Sequence, residues 1–234
     1  MSIPIPSKFV EQAVGKYTHE MSKKKEEPDS LPKKIITISR QTGTGGRKIA
    51  EILGRRMNCT VWGREILDVL AQQSCLHFQK KMYESLDERK QTWIDTIVED
   101  LFGRIDKYEY QRLLPKAIYV ISQNDAVILG RGAGLLIAGS FRVRVKASMD
   151  TRIKNMLTFE KMSEKAALDA ITTSDKERAA YIKELAHNLG IKDYMHAFDL
   201  EINNDTFSVP EASEIIQQAF DIFYEKKCRK MASG

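Results

Sequence analysis

The sequence predicts an α/β fold in which helices cover both faces of a mostly parallel five-stranded sheet. Short β-branched and apolar runs alternate along the chain with segments whose apolar residues recur at helical spacing, and a glycine cluster follows the first run. Of the 234 residues, 42% are hydrophobic and 29% are charged, a balance typical of a globular protein and not of a disordered or membrane-embedded chain.

The strands and helices follow from the spacing of apolar residues. Five strands are predicted, at 35–38, 59–62, 126–129, 141–145 and 198–202. In the fourth, apolar residues alternate with basic ones. Helices are predicted after the glycine cluster, at 64–73, from an Asp150 cap through Leu157, from a Ser163 cap to Leu189, and from near Pro210 onward.

Composition divides the chain into three parts. Residues 1–32 form an extension and a linker rich in lysine, acids and proline, residues 33–228 form the main domain, and residues 229–234 form a basic tail that we expect to fray. Within the domain, 78–122 lacks any strand pattern and is predicted to be a helical insert. Apolar residues at helical spacing in the extension predict a helix that docks on this subunit or on another, which leaves a homo-oligomer open.

Charge and cysteine content bear on the class of partner and on the cellular compartment. A net charge of +5 and a pI near 9.0 either favour anionic partners or reflect a solvated basic surface, and charge alone does not choose among nucleotides, nucleic acid and membranes. The basic residues lack the interleaved aromatics of a nucleic-acid surface, which argues against a nucleic-acid partner. The three cysteines are odd in number and form no CxxC pair, which suggests a reducing compartment. With no signal-like or membrane-spanning apolar run, we expect a cytoplasmic protein without a membrane partner.

The glycine cluster carries the clearest functional signal. Gly43, Thr44, Gly45 and Gly46 stand between a strand and a helix, where backbone amides and the helix dipole bind phosphate. Measured against the phosphate-loop pattern GxxxxGK[ST], Arg40 replaces the first glycine, Gly46 the lysine and Arg47 the hydroxyl residue. Arg47 and Lys48 are the nearest cations. They either contact phosphate or form the solvated face of the first helical turn.

Four segments in order along the chain carry a family resemblance. ITISRQTGTGGRKIAEILGRRM with TVWGREILDVLAQQS, then VILGRGAGLLIAGSFRVRVKASMDTRIKNM, TTSDKERAAYIKELAHN and FDLEINND resemble the cytidylate kinase-like proteins over about 34 to 225. The resemblance implies a three-layer P-loop kinase fold with a helical insert and a helical lid at 160–190. Two departures concern nucleobase and magnesium contacts: Gly132 replaces the aspartate of a GRD motif, and Leu129 stands where cytidylate kinase has aspartate.

The same resemblance implies an activity and a set of roles. It implies phosphoryl transfer from ATP, with Mg²⁺, to a nucleoside monophosphate, CMP or dCMP being the first candidates. The amides of 43–46 with Arg47 and Lys48 would hold ATP. The acceptor would be bound by these residues: Arg131 and Arg178 at its phosphate, Asp175 at its nucleoside, and Arg64 and Asp68 as further contributors. No magnesium ligand is assigned.

Each of these assignments has a plainer alternative. Asp175 and Arg178, three residues apart, could form an ordinary ion pair on a helix surface, and Arg64 and Asp68 could lie on a solvated helix face. Trp62 and Tyr181 could stack on a base, but packing in the core is favoured for both. Because the loop lacks its lysine and hydroxyl, a nucleotide-binding regulator without kinase activity is the alternative function.

Overall fold

The computed structural model describes residues 31–63, 109–194 and 197–232, together with residues 12, 19, 81–84, 86, 88–92 and 94. The predicted helix at 64–73, which carries Arg64 and Asp68, lies outside the described residues. So does almost all of the N-terminal extension. Inside the predicted insert, residues 81–84, 88–92 and 109–121 are helical.

In the described part of the chain, five parallel strands form one sheet in the order β2-β3-β1-β4-β5. The strands are β1 (Ile35–Arg40), β2 (Thr60–Trp62), β3 (Ala126–Leu129), β4 (Phe141–Lys146) and β5 (Leu200–Asn203). The α/β fold with a parallel five-stranded sheet is confirmed. The predicted bounds of β3 are reproduced, and β5 begins two residues later than predicted.

The connecting helices are α1 (Gly46–Arg56), α2 (Glu109–Ile121), α3 (Ala133–Leu136), α4 (Met149–Phe159), α5 (Glu164–Asn188) and α6 (Val209–Ala232). Ser163 caps α5 as predicted, whereas α4 is capped by Ser148, whose hydroxyl accepts from the Thr151 amide, and not by Asp150. Asp150 instead lies in the first turn, where its charge suits the helix dipole. Helix α6 continues through Ala232, into the segment predicted as a tail.

Apolar side chains pack on both faces of the sheet, as a parallel sheet requires. Along β3 the buried residues alternate between two clusters. Ala126 and Ile128 belong to a cluster that contains α2 and α3 residues, while Val127 and Leu129 belong to one that contains α1 and α6 residues. Trp62, 1% exposed, packs in the first cluster, consistent with the favoured core role.

None of the helices in the described segments has both the length and the apolar character needed to cross a bilayer.

The strand order fixes where a ligand site can form. The chain leaves β1 toward β2 on one side and leaves β4 toward β5 on the other, so the connections diverge between these two neighbouring strands. In open α/β sheets, ligands bind in the crevice outside the carboxyl ends of the strands at this switch point. The glycine cluster follows β1 directly and therefore lies at this crevice.

Candidate active site

The loop between β1 and α1 takes a path that glycine makes possible. Gly43 and Gly45 have φ values of 82° and 81°, in the left-handed region that other residues rarely adopt. Gly45 caps α1, and no acidic side chain lies in the first turn of that helix. Because the first amides of a helix lack acceptors within the helix and carry partial positive charge, this end of α1 favours an anion.

Side chains from distant elements hold the loop through its carbonyl groups. Arg152 Nε donates to the Thr42 carbonyl at 2.7 Å, Asn155 Nδ2 to that of Gly43 at 2.7 Å, and Asn204 Nδ2 to that of Thr44 at 2.6 Å. The Thr44 hydroxyl adds a bond to the Gln41 carbonyl at 3.0 Å. Carbonyl groups held in this way cannot turn toward a bound phosphate, so the loop is organised for an anion before any ligand arrives.

An acid-base pair ties helix α5 to the same loop. The Asp175 carboxylate accepts from the Thr42 amide at 3.1 Å and from Arg152 Nη2. Arg152 is 4% exposed, and its guanidinium bonds both the loop and Asp175, so its charge is paired although it is buried. Asp175 therefore anchors α5 on the loop, in contrast with the surface ion pair with Arg178 that the spacing allowed.

A cavity of about 380 Å³ lies beside the loop, between α5 and the carboxyl ends of β1, β3 and β4. Its lining includes the charged side chains of Arg40, Arg131, Arg144, Asp175, Glu177 and Arg178. Among the described lining residues, four are arginines and two carry carboxylates, and Arg144 also forms an ion pair with Glu201 at 3.5 Å. A small anionic molecule fits the size and the charge of this cavity.

Arg178, on α5, and Arg131, which follows β3, both line the cavity. Arg178 Nη1 donates to the Arg40 carbonyl at 2.9 Å, at the point where β1 enters the loop. The Arg131 guanidinium lies 5.5 Å from the centre of the Tyr181 ring, and the Tyr181 hydroxyl donates to the Arg131 carbonyl at 3.4 Å. Arg131 also has a φ of 52°, which is uncommon for a residue with a side chain and is often found at functional sites.

The two predicted cations after the loop lie elsewhere. Arg47 and Lys48 are exposed on the first turn of α1 and are not among the described residues that line the cavity. Lys48 Nζ lies 3.3 Å from the centre of the Phe159 ring in α4, a cation-π contact. Of the predicted site residues, the structure thus brings Arg131, Asp175 and Arg178 together at the cavity and leaves Arg47 and Lys48 on the outer side of the helix.

Sequence reasoning assigned no ligand role to several side chains that build the site. Arg152, Asn155 and Asn204 hold the loop, and no local pattern marks them, because their partners lie more than 100 residues away in sequence. Arg144 could have been predicted as a site residue from the sequence pattern of β4. It alternates with buried Val143 and Val145 in β4, so it faces the opposite side of the sheet, where the cavity lies.

The turn after β5 is braced against the start of α4. Hydrogen bonds from Thr151 and then from Ser148 lower the pKa of the Asp205 carboxyl below its usual value. The Ser148 amide and hydroxyl donate to this carboxylate at 2.8 Å and 2.9 Å. Since Asp205 follows Asn204, these bonds hold the residue that binds the Thr44 carbonyl.

This sheet order, the glycine loop after β1 and the arginine-lined cavity define an α/β protein with a P-loop kinase fold. A model of the cytidylate kinase-like family matches residues 35–206, which is more than half of the chain. The chain therefore belongs to the cytidylate kinase-like family, and the resemblance noted in its sequence is confirmed.

Comparison with solved structures gives several matches. An uncharacterized protein from Eubacterium ventriosum ATCC 27560 is 20% identical, with a TM-score of 0.55 over 81% of this chain and 99% of that one. A gluconokinase from Sinorhizobium meliloti 1021 is 13% identical over 84% of this chain and 95% of that one, with a TM-score of 0.41. A search of curated proteins found no match.

Proposed function

We propose that this protein transfers the γ-phosphoryl group of ATP to a nucleoside monophosphate, with CMP or dCMP as the first candidate. The observation that carries the proposal is the arginine-lined cavity directly beside a braced glycine loop at the start of α1. The loop suits the donor phosphates and the cavity suits a small anionic acceptor. Membership of the cytidylate kinase-like family supports a nucleotide kinase-like function in general.

In the proposed reaction, an oxygen of the acceptor phosphate attacks the γ-phosphorus. The bond from the γ-phosphorus to the β-γ bridging oxygen breaks, which yields ADP and a nucleoside diphosphate. The protein has to hold both partners in line and to neutralise charge on the transferred group. The amides of 43–46 with Arg47 and Lys48 are proposed to hold the donor.

The acceptor side of the proposal rests on residues of α5 and on Arg131, which follows β3. Arg131 and Arg178 would bind the acceptor phosphate and the transferring group, since charge-assisted bonds from arginine to phosphate are strong and directional. Asp175 would orient the acceptor nucleoside in addition to anchoring α5, and Arg64 and Asp68 remain predicted contributors. A cytoplasmic location also remains a prediction from the sequence.

Mg²⁺ would neutralise charge between the donor phosphates. Among the described residues, no cluster of three His, Cys, Asp or Glu side chains could hold a metal ion. Mg²⁺ at phosphoryl-transfer sites is commonly held by one or two carboxylates together with phosphates and waters. Of the residues lining the cavity, Glu177 and Asp175 offer carboxylates, and Asp175 is already bonded to Arg152, so Glu177 is the better candidate.

One observation favours the alternative, a nucleotide-binding regulator without kinase activity. Leu129, where cytidylate kinase has aspartate, is 1% exposed and packs in the core, so the end of β3 supplies no carboxylate. The test is ADP release from MgATP, measured with each nucleoside monophosphate in turn. We expect one pyrimidine monophosphate to raise ADP release well above the rate with ATP alone. If ATP binds but no monophosphate is consumed, the regulator is correct.

A further inference from the structure

Gly46 stands where the phosphate-loop pattern has lysine, and another side chain fills the space that the lysine would use. A Cβ atom built on Gly46 would lie 2.9 Å from Cβ and 3.0 Å from Cγ of Arg40. Contacts that short between carbon atoms are repulsive, so a lysine at 46 and the observed Arg40 conformation exclude each other. The stem of Arg40 therefore crosses the start of α1 at the lysine's place.

The far end of Arg40 continues from the loop into the cavity. A Cβ atom on Gly130, at the end of β3, would collide with Arg40 Nη1. Arg40 also lines the cavity, and its backbone carbonyl accepts from Arg178. Its guanidinium thus lies between the first turn of α1 and the end of β3, on the same side as Arg131 and Arg178.

We propose that Arg40 supplies the positive charge that lysine supplies in the standard phosphate loop, an assignment that rests on the proposed use of this loop for ATP. The lysine of the standard loop reaches the β- and γ-phosphates from the first helical turn. Arg40 reaches the same region from the end of β1, and two glycines, at 46 and 130, make room for it. Arg40 lies on the cavity side of the loop, as do Arg131 and Arg178, whereas Arg47 and Lys48 are exposed on the outer side of α1.

The first test removes only the charge. Arg40→Gln keeps the Cβ and Cγ atoms that pack on Gly46, and Arg55→Gln, on the exposed last turn of α1, is the matched control. We expect Arg40→Gln to weaken MgATP binding, measured by calorimetry, by tenfold or more and to lower turnover roughly 100-fold, the scale seen when one transition-state donor is removed. Unchanged MgATP affinity and turnover in Arg40→Gln would overturn the assignment.

The second test exchanges the two positions. Gly46→Lys alone should lose MgATP affinity, because the lysine stem meets that of Arg40. Arg40→Gly combined with Gly46→Lys should regain it, because the pair restores the first glycine and the lysine of the standard pattern. A merely structural role for Arg40 predicts no regain, so its absence would count against the assignment, as would full affinity in Gly46→Lys alone. MgATP binding is measured without turnover.

The wild-type protein separates the two proposals. If it binds MgATP and transfers nothing, only the kinase proposal fails. If it binds no MgATP, both the kinase proposal and the assignment of Arg40 fail.

Discussion

Arg178 joins the two halves of the proposed site through a single side chain. It lines the cavity from α5 and donates to the Arg40 carbonyl, so its guanidinium lies at the boundary between the loop and the cavity. A cation at that boundary can interact with donor and acceptor phosphates at once. This position suits a role for Arg178 in phosphate binding. An arginine in an ordinary surface ion pair with Asp175 would have no such role.

Replacing Arg178 tests that reading. We expect Arg178→Ala to lower kcat/KM for the monophosphate by roughly 100-fold or more, with Arg178→Lys intermediate because lysine keeps the charge but loses the fork of donors. Steady-state kinetics provide the measurement, and Arg55→Ala is the control that should behave as wild type. Equal kinetics for Arg178→Ala and Arg55→Ala would remove Arg178 from the site.

Gly43 combines a left-handed backbone with a crowded setting, and Gly190 provides the matched control. Gly43→Ala would place Cβ 2.7 Å from the Arg152 carbonyl oxygen at a φ of 82°. Gly190→Ala meets nothing within 4 Å at a φ of 67°, so it isolates the backbone cost. We expect Gly190→Ala to cost about 1 kcal/mol and Gly43→Ala roughly 2 to 4 kcal/mol in urea unfolding. Equal losses of unfolding free energy in the two variants would mean that the loop moves away from Arg152 in α4 without cost, which would contradict a tightly packed loop.

At the residue scale, local patterns and the family resemblance led to residues that the structure places at the loop and the cavity, and the ligand roles of these residues stay predictions. Gly43 and Gly45 were marked by their place after a strand, and Arg131, Asp175 and Arg178 by the resemblance. Arg40 was noted only as a departure from the loop pattern, because its reach depends on the empty space at two glycines far apart in sequence. Such complementarity exists only once the chain is folded.

At the scale of elements, α5 is attached to the phosphate loop at two points. Asp175 binds the Thr42 amide and Arg152, and Arg178 binds the Arg40 carbonyl three residues further along the helix. Residues three apart share a helix face, so one face of α5 makes both attachments. The helix predicted as a lid is thus bonded to the loop that it would cover.

Strands β4 and β5 are joined at their start by Arg142 and Asp199. Arg142 Nε and Nη2 donate to the Asp199 carboxylate at 3.1 Å and 2.9 Å, and the Arg142 amide donates at 2.8 Å. Burial raises the pKa of Asp199, but the hydrogen bonds and the charge of Arg142 outweigh burial and leave the pKa below its usual value. The ionised form of Asp199 is therefore the one that stabilises the fold.

That pKa direction sets a pH dependence. A carboxyl with a lowered folded-state pKa adds stability above its unfolded pKa, about 3.9, and loses it as the pH falls through the folded-state value. We expect Asp199→Asn to cost about 1 to 2 kcal/mol in urea unfolding at pH 7 and progressively less as the pH falls through the lowered folded-state pKa of Asp199. Glu201→Gln, whose ion pairs with Arg144 and Lys146 are more exposed, should cost less at pH 7. A cost for Asp199→Asn that does not vary with pH would contradict the role of its charge.

Elements were predicted well where hydrophobic spacing decides them. β3 is buried on both faces and reads as an unbroken apolar run, so its bounds were found, and β4 was recognised by its alternation. The cap of α4 was misassigned because Ser148 and Asp150 both suit a helix start. What distinguishes them is the extended backbone at Ser148, with a φ of −62° and a ψ of 159°. A sequence does not display that choice.

At the scale of the whole molecule, the fold places the glycine loop and the arginine-lined cavity at one edge of the sheet. The described strands are parallel, so their carboxyl ends share an edge, and the strand order opens a crevice there. Family membership fixes the class of protein, while the substrate depends on the residues around the cavity. Gly132, which lines the cavity, and Leu129, buried at the end of β3, both differ from cytidylate kinase. The acceptor therefore has to be found by experiment.

The most direct test of the central claim follows the γ-phosphate itself. The protein is incubated with Mg²⁺, CMP or dCMP, and ATP carrying radioactive phosphorus in its γ-phosphate, and the products are separated by chromatography. The proposed reaction predicts label in the nucleoside diphosphate, with no more inorganic phosphate than in the absence of acceptor. Label that remains in ATP or appears only as inorganic phosphate, across the full panel of nucleoside monophosphates, would contradict phosphoryl transfer to a nucleotide.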